Sequence, residues 1–189
     1  WETAFVLFIR AWFDGMLPDE VGAAAVVSSC EKGSEWKQPL QLLTDTRVCV
    51  IAPHVVTCNS AVSACEKGLE WTPALMLLRE AASLGTTSDI AGYSAAASAC
   101  GKNLRWDQAL LVLTWAGVAG AQLNVLCFSA VMSGCQGSRR WQWVSELLGQ
   151  MGRCFCTMDQ IAYGFAAGSY TTGSQHWRHA IWHLGGLME

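Results

Sequence analysis

Three histidines, His176, His179 and His183, stand three and four residues apart near one face of a would-be helix, with Cys154 and Cys156 upstream. Such spacing can bind zinc. No acidic ligand accompanies them, and His183 falls in the apolar stripe of its own helix, so packed or solvent-facing histidines account for the cluster better. Nine cysteines could supply thiolates, disulfides or metal ligands, but no Cys-x-x-Cys pair occurs, which removes the zinc-finger and thioredoxin templates. A Ser-His-Asp order, a phosphate-cradling glycine loop and a metalloprotease motif are also missing. The residues therefore point to a chain without enzymatic activity, cofactor, bound metal or small-molecule substrate.

The elements behind these residues are set by a period. Trp1, Trp36, Trp71, Trp106, Trp141 and Trp177 are separated by 35, 35, 35, 35 and 36 residues. Cys30, Cys65, Cys100 and Cys135 each precede one of those tryptophans by six residues, in phase with them. Self-similarity at this period marks a solenoid, in which each repeat buries its apolar face against its neighbours. Four of the nine cysteines thus share one equivalent position, where a small apolar residue suits a helix interface, and read as buried thiols.

Hydrophobic residues make up 52% of the 189 and charged residues only 14%, a dry composition for an elongated chain. The long faces are expected to be covered by further chain or by a ligand, and the sequence reads as a segment of a longer array. The apolar run from Ala109 to Met132 raises the question of a membrane helix. Gly117, Gly120, Gln122 and Asn124 interrupt it where the repeat requires a loop, so no membrane span is expected.

Within the unit Val55 to Asp89, small residues from Asn59 to Glu66 make a first helix that Gly68 stops. A second helix begins near Trp71 with Pro73 in its first turn, and Gly85 closes it. Ala74, Leu75, Leu77 and Leu78 follow the tryptophan on one stripe, and Ala4, Phe5, Leu7 and Phe8 or Ala109, Leu110, Val112 and Leu113 repeat the register. Gly15 and Gly120 mark the same stop as Gly85. Each unit is a helix hairpin, and the class is all-α, an α-solenoid of antiparallel hairpins. The tryptophans read as core residues. Trp71 is expected to be largely buried, its truncation costing roughly 3–5 kcal/mol.

The segment VVTCNSAVSACEKGLEWTPALMLLREAASLGTTSD resembles the pentatricopeptide repeat in its opening Val-Val-Thr-x-Asn, its Cys-Glu-Lys-Gly turn and its Ala-Leu-x-Leu-Leu second helix. The resemblance runs through essentially the whole chain: a second helix at 1–19, full units at 20–54, 55–89, 90–124 and 125–159, and a nearly complete unit at 160–189, in one continuous solenoid domain. The 34-residue tetratricopeptide pattern, with its Trp-x-x-Leu-Gly-x-x-Tyr helix, is not present. The resemblance implies a right-handed superhelix that binds single-stranded RNA at one base per repeat in a mitochondrion or chloroplast.

Carried over from that family, the base-reading pairs are Asn59 with Asp89, Ser94 with Asn124, and Ser129 with Asp159. The aliphatic wedges between bases are Val21, Val56, Ala91, Leu126 and Ile161. The unit at 20–54 has Ala24 and His54 at the reading positions, and Gly164 stands at one in the last unit. Neither Ala24 nor Gly164 has a side-chain polar group. The family's pairing rules translate the three legible pairs into a U-A-G core.

The net charge is −3, whereas RNA binding draws affinity from cations near phosphates. Lys32, Lys67 and Lys102 recur at 35-residue steps in the last turn of the first helix, where the family places a phosphate contact. They also suit the negative end of the helix dipole. The unit at 125–159 has Gly137 there, with Arg139 and Arg140 close in sequence. The leading expectation is a sequence-selective RNA-binding array in organellar RNA processing, stability or translation. A protein-binding helical scaffold that has lost RNA contacts is the alternative, and a purely structural segment a third. The zinc deaminase that ends some family members leaves no His-x-Glu and Cys-x-x-Cys signature here.

Overall fold

In the computed structural model, residues 1–14, 20–33, 35–48, 55–83, 88–153, 160, 164–165 and 167–168 are described. They carry the helices α1 (Glu2–Phe13), α2 (Glu20–Lys32), α3 (Lys37–Val48), α4 (Val55–Lys67), α5 (Trp71–Ser83), α6 (Ile90–Lys102), α7 (Trp106–Val118), α8 (Val125–Gly137) and α9 (Trp141–Arg153). No strand occurs among the described residues. The chain divides into two compact units, Trp1–Ala99 and Cys100–Glu189. In the first, α2 packs on both α3 and α4, α4 packs on α5, and α1 lies against α2. In the second, α8 packs between α7 and α9.

After Trp71, Trp106 and Trp141 the predicted stripe forms the buried face of the second helix, with Leu75 and Leu110 half-buried at its edge. After Trp1 it does not, since Leu7 is 66% exposed and Ala4, Phe5 and Phe8 are half-buried. Ala74, Leu77, Leu78 and Ala81 are buried in α5, Ala109, Val112, Leu113 and Ala116 in α7, and Val144, Leu147, Leu148 and Met151 in α9. Each leucine withdrawn from water contributes roughly 1.5–3 kcal/mol before the entropy of ordering it is counted. The first helices answer with small residues, including Ala61, Ala64, Ala96, Ala99 and the cysteine column, which let helices approach closely. Cys30, Cys65, Cys100 and Cys135 are completely buried, and none of the described cysteines is in a disulfide. Burial pushes the thiols of Cys65 and Cys100 up to about 12 and that of Cys135 to about 11, because a thiolate would sit in an apolar interface.

Other expectations are refined. The tryptophan column is not deep core: Trp1 is 36% exposed, and Trp36, Trp71, Trp106 and Trp141 are half-buried. The column sits at or just before the start of each second helix, at the hairpin edge. Trp1 lies on Gly33 and Trp36 on Gly68, rings laid across the turn of the following repeat.

Gly68 does directly follow the end of α4 at Lys67, as expected, but it is not the left-handed residue of its turn. That conformation falls to Leu69, Leu104 and Arg139, at φ 58°, 57° and 57°. Gly68 is small because a Cβ there would meet Trp36 Cδ1 at 2.5 Å. The first helix of the reference unit also starts earlier than its run of small residues, at Val55.

Gly120 does adopt positive φ, at 72°, just past the end of α7, whereas Gly15 and Gly85 lie outside the described residues. The apolar run at 109–132 is divided between α7 and α8. No helix among the described residues is long and apolar enough to cross a membrane.

Candidate nucleic-acid interface

The first helices α2, α4, α6 and α8 open with a shared arrangement. The second residue of each is an exposed aliphatic: Val21, Val56 and Leu126 are 75%, 56% and 65% exposed, and Ala91 is exposed at the same place in α6. Three residues further, on the same helical face, come Ala24, Asn59, Ser94 and Ser129. Asp89 and Asn124, the second members of two predicted pairs, stand immediately before α6 and α8.

In the first unit the structure brings one predicted pair into direct contact. Asn59 Nδ2 donates to Asp89 Oδ1 at 2.7 Å. The same oxygen accepts from the backbone N–H of Ala91 at 2.9 Å and of Gly92 at 3.3 Å, so Asp89 is the N-cap of α6, satisfying donors that the first turn leaves without helical partners. The carboxylate also dictates which way the Asn59 amide points, since the flipped amide would set oxygen against oxygen. Asn59 Oδ1 is thereby turned inward, buried and without a hydrogen-bond partner among the described residues. It lies against Gly92, where any Cβ would collide with it.

The other positions follow the same logic with shorter side chains. Ser94 Oγ donates to the carbonyl of Ala91 at 2.9 Å and Ser129 Oγ to that of Leu126 at 3.0 Å, back-bonds that leave the hydroxyl lone pairs as acceptors. Asn124, in extended backbone at φ −119° and ψ 170°, caps α8 by accepting from Cys127 N at 3.0 Å. Ala24 is half-buried and Gly164 exposed. Asp159, Ile161 and His54 lie outside the described residues, as do His176, His179, His183, Cys154 and Cys156. Among the described residues no group of histidines, cysteines and carboxylates is placed to hold a metal.

Lys32, Lys67 and Lys102 all lie in the last turn of a first helix. Lys67 Nζ is 3.0 Å from Glu31 Oε1, an ion pair to the preceding repeat in addition to its place at the helix end. Gly137, in the position of the lysines, instead lies against Leu104 Cδ2. Arg139 holds the left-handed turn, while the Arg140 guanidinium lies 5.0 Å from the centroid of the Trp106 ring, itself 6.1 Å from Trp143.

Two features escaped the sequence reading. The capping role of Asp89 and Asn124 had a local signal, an Asx residue directly before an apolar helical run. The Glu31 contact had none, because it joins residues 36 apart whose meeting depends on how α2 packs on α4.

No protein-family model and no curated protein matches the chain. Solved structures do. The pentatricopeptide repeat protein PPR10 from maize is 18% identical, with 96% of this chain and 26% of that one covered at a TM-score of 0.76. The same protein in complex with an 18-nt psaJ RNA element gives 0.71 over 97% of this chain and 27% of that one, again at 18% identity. The PPR domain of Arabidopsis thaliana protein-only RNase P 1 in complex with tRNA is 10% identical, with 89% of each chain covered at 0.77.

The chain is thus a helical-repeat protein of the α-solenoid class. Its helix hairpins share the fold of the pentatricopeptide repeats in these structures. It spans about a quarter of the length of PPR10, 26%.

Proposed function

We propose that the chain is a sequence-selective single-stranded RNA-binding segment, without catalytic activity, that serves organellar RNA processing, stability or translation. The observation that carries this reading is the repeated opening of the first helices. An exposed aliphatic side chain stands one helical turn from a short polar one, as Val56 does from Asn59, Ala91 from Ser94 and Leu126 from Ser129. An aliphatic ledge can separate and stack bases while the polar group addresses a base edge. The reading is supported by the likeness in fold to two structures in complex with RNA, PPR10 with the psaJ element and the PPR domain of the RNase P with tRNA.

The pairs Asn59 with Asp89, Ser94 with Asn124 and Ser129 with Asp159 would then read U, A and G in order. Asp can only accept, whereas Asn also donates, which separates the preferred base edges. The test is a binding selection from a randomised RNA pool, with the chain set inside a longer array to raise its affinity. Enrichment of U-A-G is expected, and recovery of unselected sequence would refute the assignment.

A further inference from the structure

Acids share the step of the lysines: Glu31 and Glu66 are 35 residues apart, each directly before one of the recurring lysines. Glu31 Oε1 accepts from Lys67 Nζ at 3.0 Å and from Ser63 Oγ at 2.9 Å. A cation and a hydroxyl of one repeat therefore converge on a single oxygen of the repeat before it. Glu66 Oε1 accepts from Ser98 Oγ at 2.6 Å, the same serine contact one repeat on.

The register shows that acid and lysine go together. Lys67 follows Glu31 by 36 residues and Lys102 follows Glu66 by 36, and at the next step Gly101 and Gly137 replace both members. There the contact changes character. The α-carbon of Gly101 lies against the Ala130 carbonyl and Gly134, and Gly137 receives Leu104. One inter-repeat position is thus filled either by a charged bridge or by close backbone packing.

A carboxylate and a phosphate diester are recognised by the same donors, an ammonium and a hydroxyl. We propose that Glu31 is a built-in phosphate substitute. It pre-positions Lys67 and Ser63 around one anionic oxygen, and an RNA phosphate must displace it before Lys67 can contact the backbone. This rests on the RNA reading above. The pair is accessible enough for such an exchange, with 40% of the Lys67 side chain and 24% of that of Glu31 exposed, and exposed pairs are weak enough for a competing anion to open. Glu31 is then a determinant of affinity whose effect passes through Lys67.

The test compares the 189-residue chain with E31Q, K67Q and the double variant. Two probes are titrated over a salt series: a fluorescein-labelled 12-nucleotide RNA containing U-A-G, and inorganic polyphosphate, an anion without bases. E31Q is expected to tighten RNA binding about twofold to fivefold at low salt and to steepen the log–log salt dependence by about 0.7. Both changes should vanish in the K67Q background. Where RNA binds, an unchanged E31Q affinity overturns the proposal, as does a gain that survives K67Q, which would be a general field effect of removing an acid. Where RNA does not bind but polyphosphate shows the Lys67-dependent gain, the RNA reading fails and the mask at Lys67 stands. A Lys67-dependent gain with neither probe overturns the mask itself.

Discussion

Asn59 and Asp89 are joined by a 2.7 Å hydrogen bond from Nδ2 to Oδ1, and the oxygen that receives it also caps α6 through Ala91 and Gly92. The pair assigned to base reading is therefore part of the joint between two repeats. Any base that addresses Asn59 meets an amide whose orientation the next helix has already set.

Substitutions at position 89 should separate capping from reading. Asp89→Ala removes the cap and the Asn59 partner together and is expected to cost about 0.5–2 kcal/mol in chemical denaturation. Asp89→Asn keeps an oxygen for both, as Asn124 does for α8, and should stay within about 0.5 kcal/mol of the parent. Its preference should still move from uracil towards cytosine at that step alone. A large stability loss in Asp89→Asn would mean that the charge, not the oxygen, makes the cap.

The Trp36 ring and Gly68 are complementary, and mutations there should not add. Gly68→Ala drives a Cβ to 2.5 Å from Trp36 Cδ1 and is expected to cost about 1–3 kcal/mol by overpacking. In a Trp36→Ala background the same change should cost much less, a coupling that a double-mutant cycle reads directly. Because Trp71 is half-buried, Trp71→Ala should also fall below the ~3–5 kcal/mol of a fully buried tryptophan.

Two glycines in helices should respond in opposite directions. At Gly101 a Cβ would strike the Ala130 carbonyl, a backbone atom with little room to yield, so Gly101→Ala should destabilise by about 2 kcal/mol or more. At Gly117, in the last turn of α7, nothing lies within 4 Å. Gly117→Ala should therefore stabilise by about 0.4–1 kcal/mol through lower unfolded-chain entropy. Thermal unfolding of both variants checks the signs.

The buried thiols make stability fall at alkaline pH. In the unfolded chain they ionise near 9, while in the folded chain burial holds Cys65 and Cys100 protonated to about 12 and Cys135 to about 11. Between those values the folded state binds more protons, so stability is complete below about pH 9 and is lost as pH rises towards 11–12. A denaturation series from neutral to alkaline pH should show this decline, and Cys65→Ala should make it shallower. An identical slope in that variant would assign the loss to other groups.

The 35-residue recurrence of Trp and Cys was enough to define the hairpin period, and the apolar stripe of Ala74, Leu77 and Leu78 identified the buried face of α5. Such patterns are legible because helix periodicity and capping act between residues a few positions apart. The candidate pair Asn59 and Asp89 could be named only through resemblance. Its hydrogen bond, the N-cap of α6 and the inward turn of Asn59 Oδ1 required α4 and α6 to be placed beside each other.

The same holds for Trp1 and Trp36, whose spacing announced the repeat but not their position over the next turn. It also holds for Lys67, whose Glu31 partner lies 36 residues away. Local propensity is written residue by residue along the chain. Contacts one repeat apart depend on the separation and rotation of packed helices, which small residues such as Gly68, Gly92 and Gly101 adjust by fractions of an ångström, and only the tertiary structure decided those.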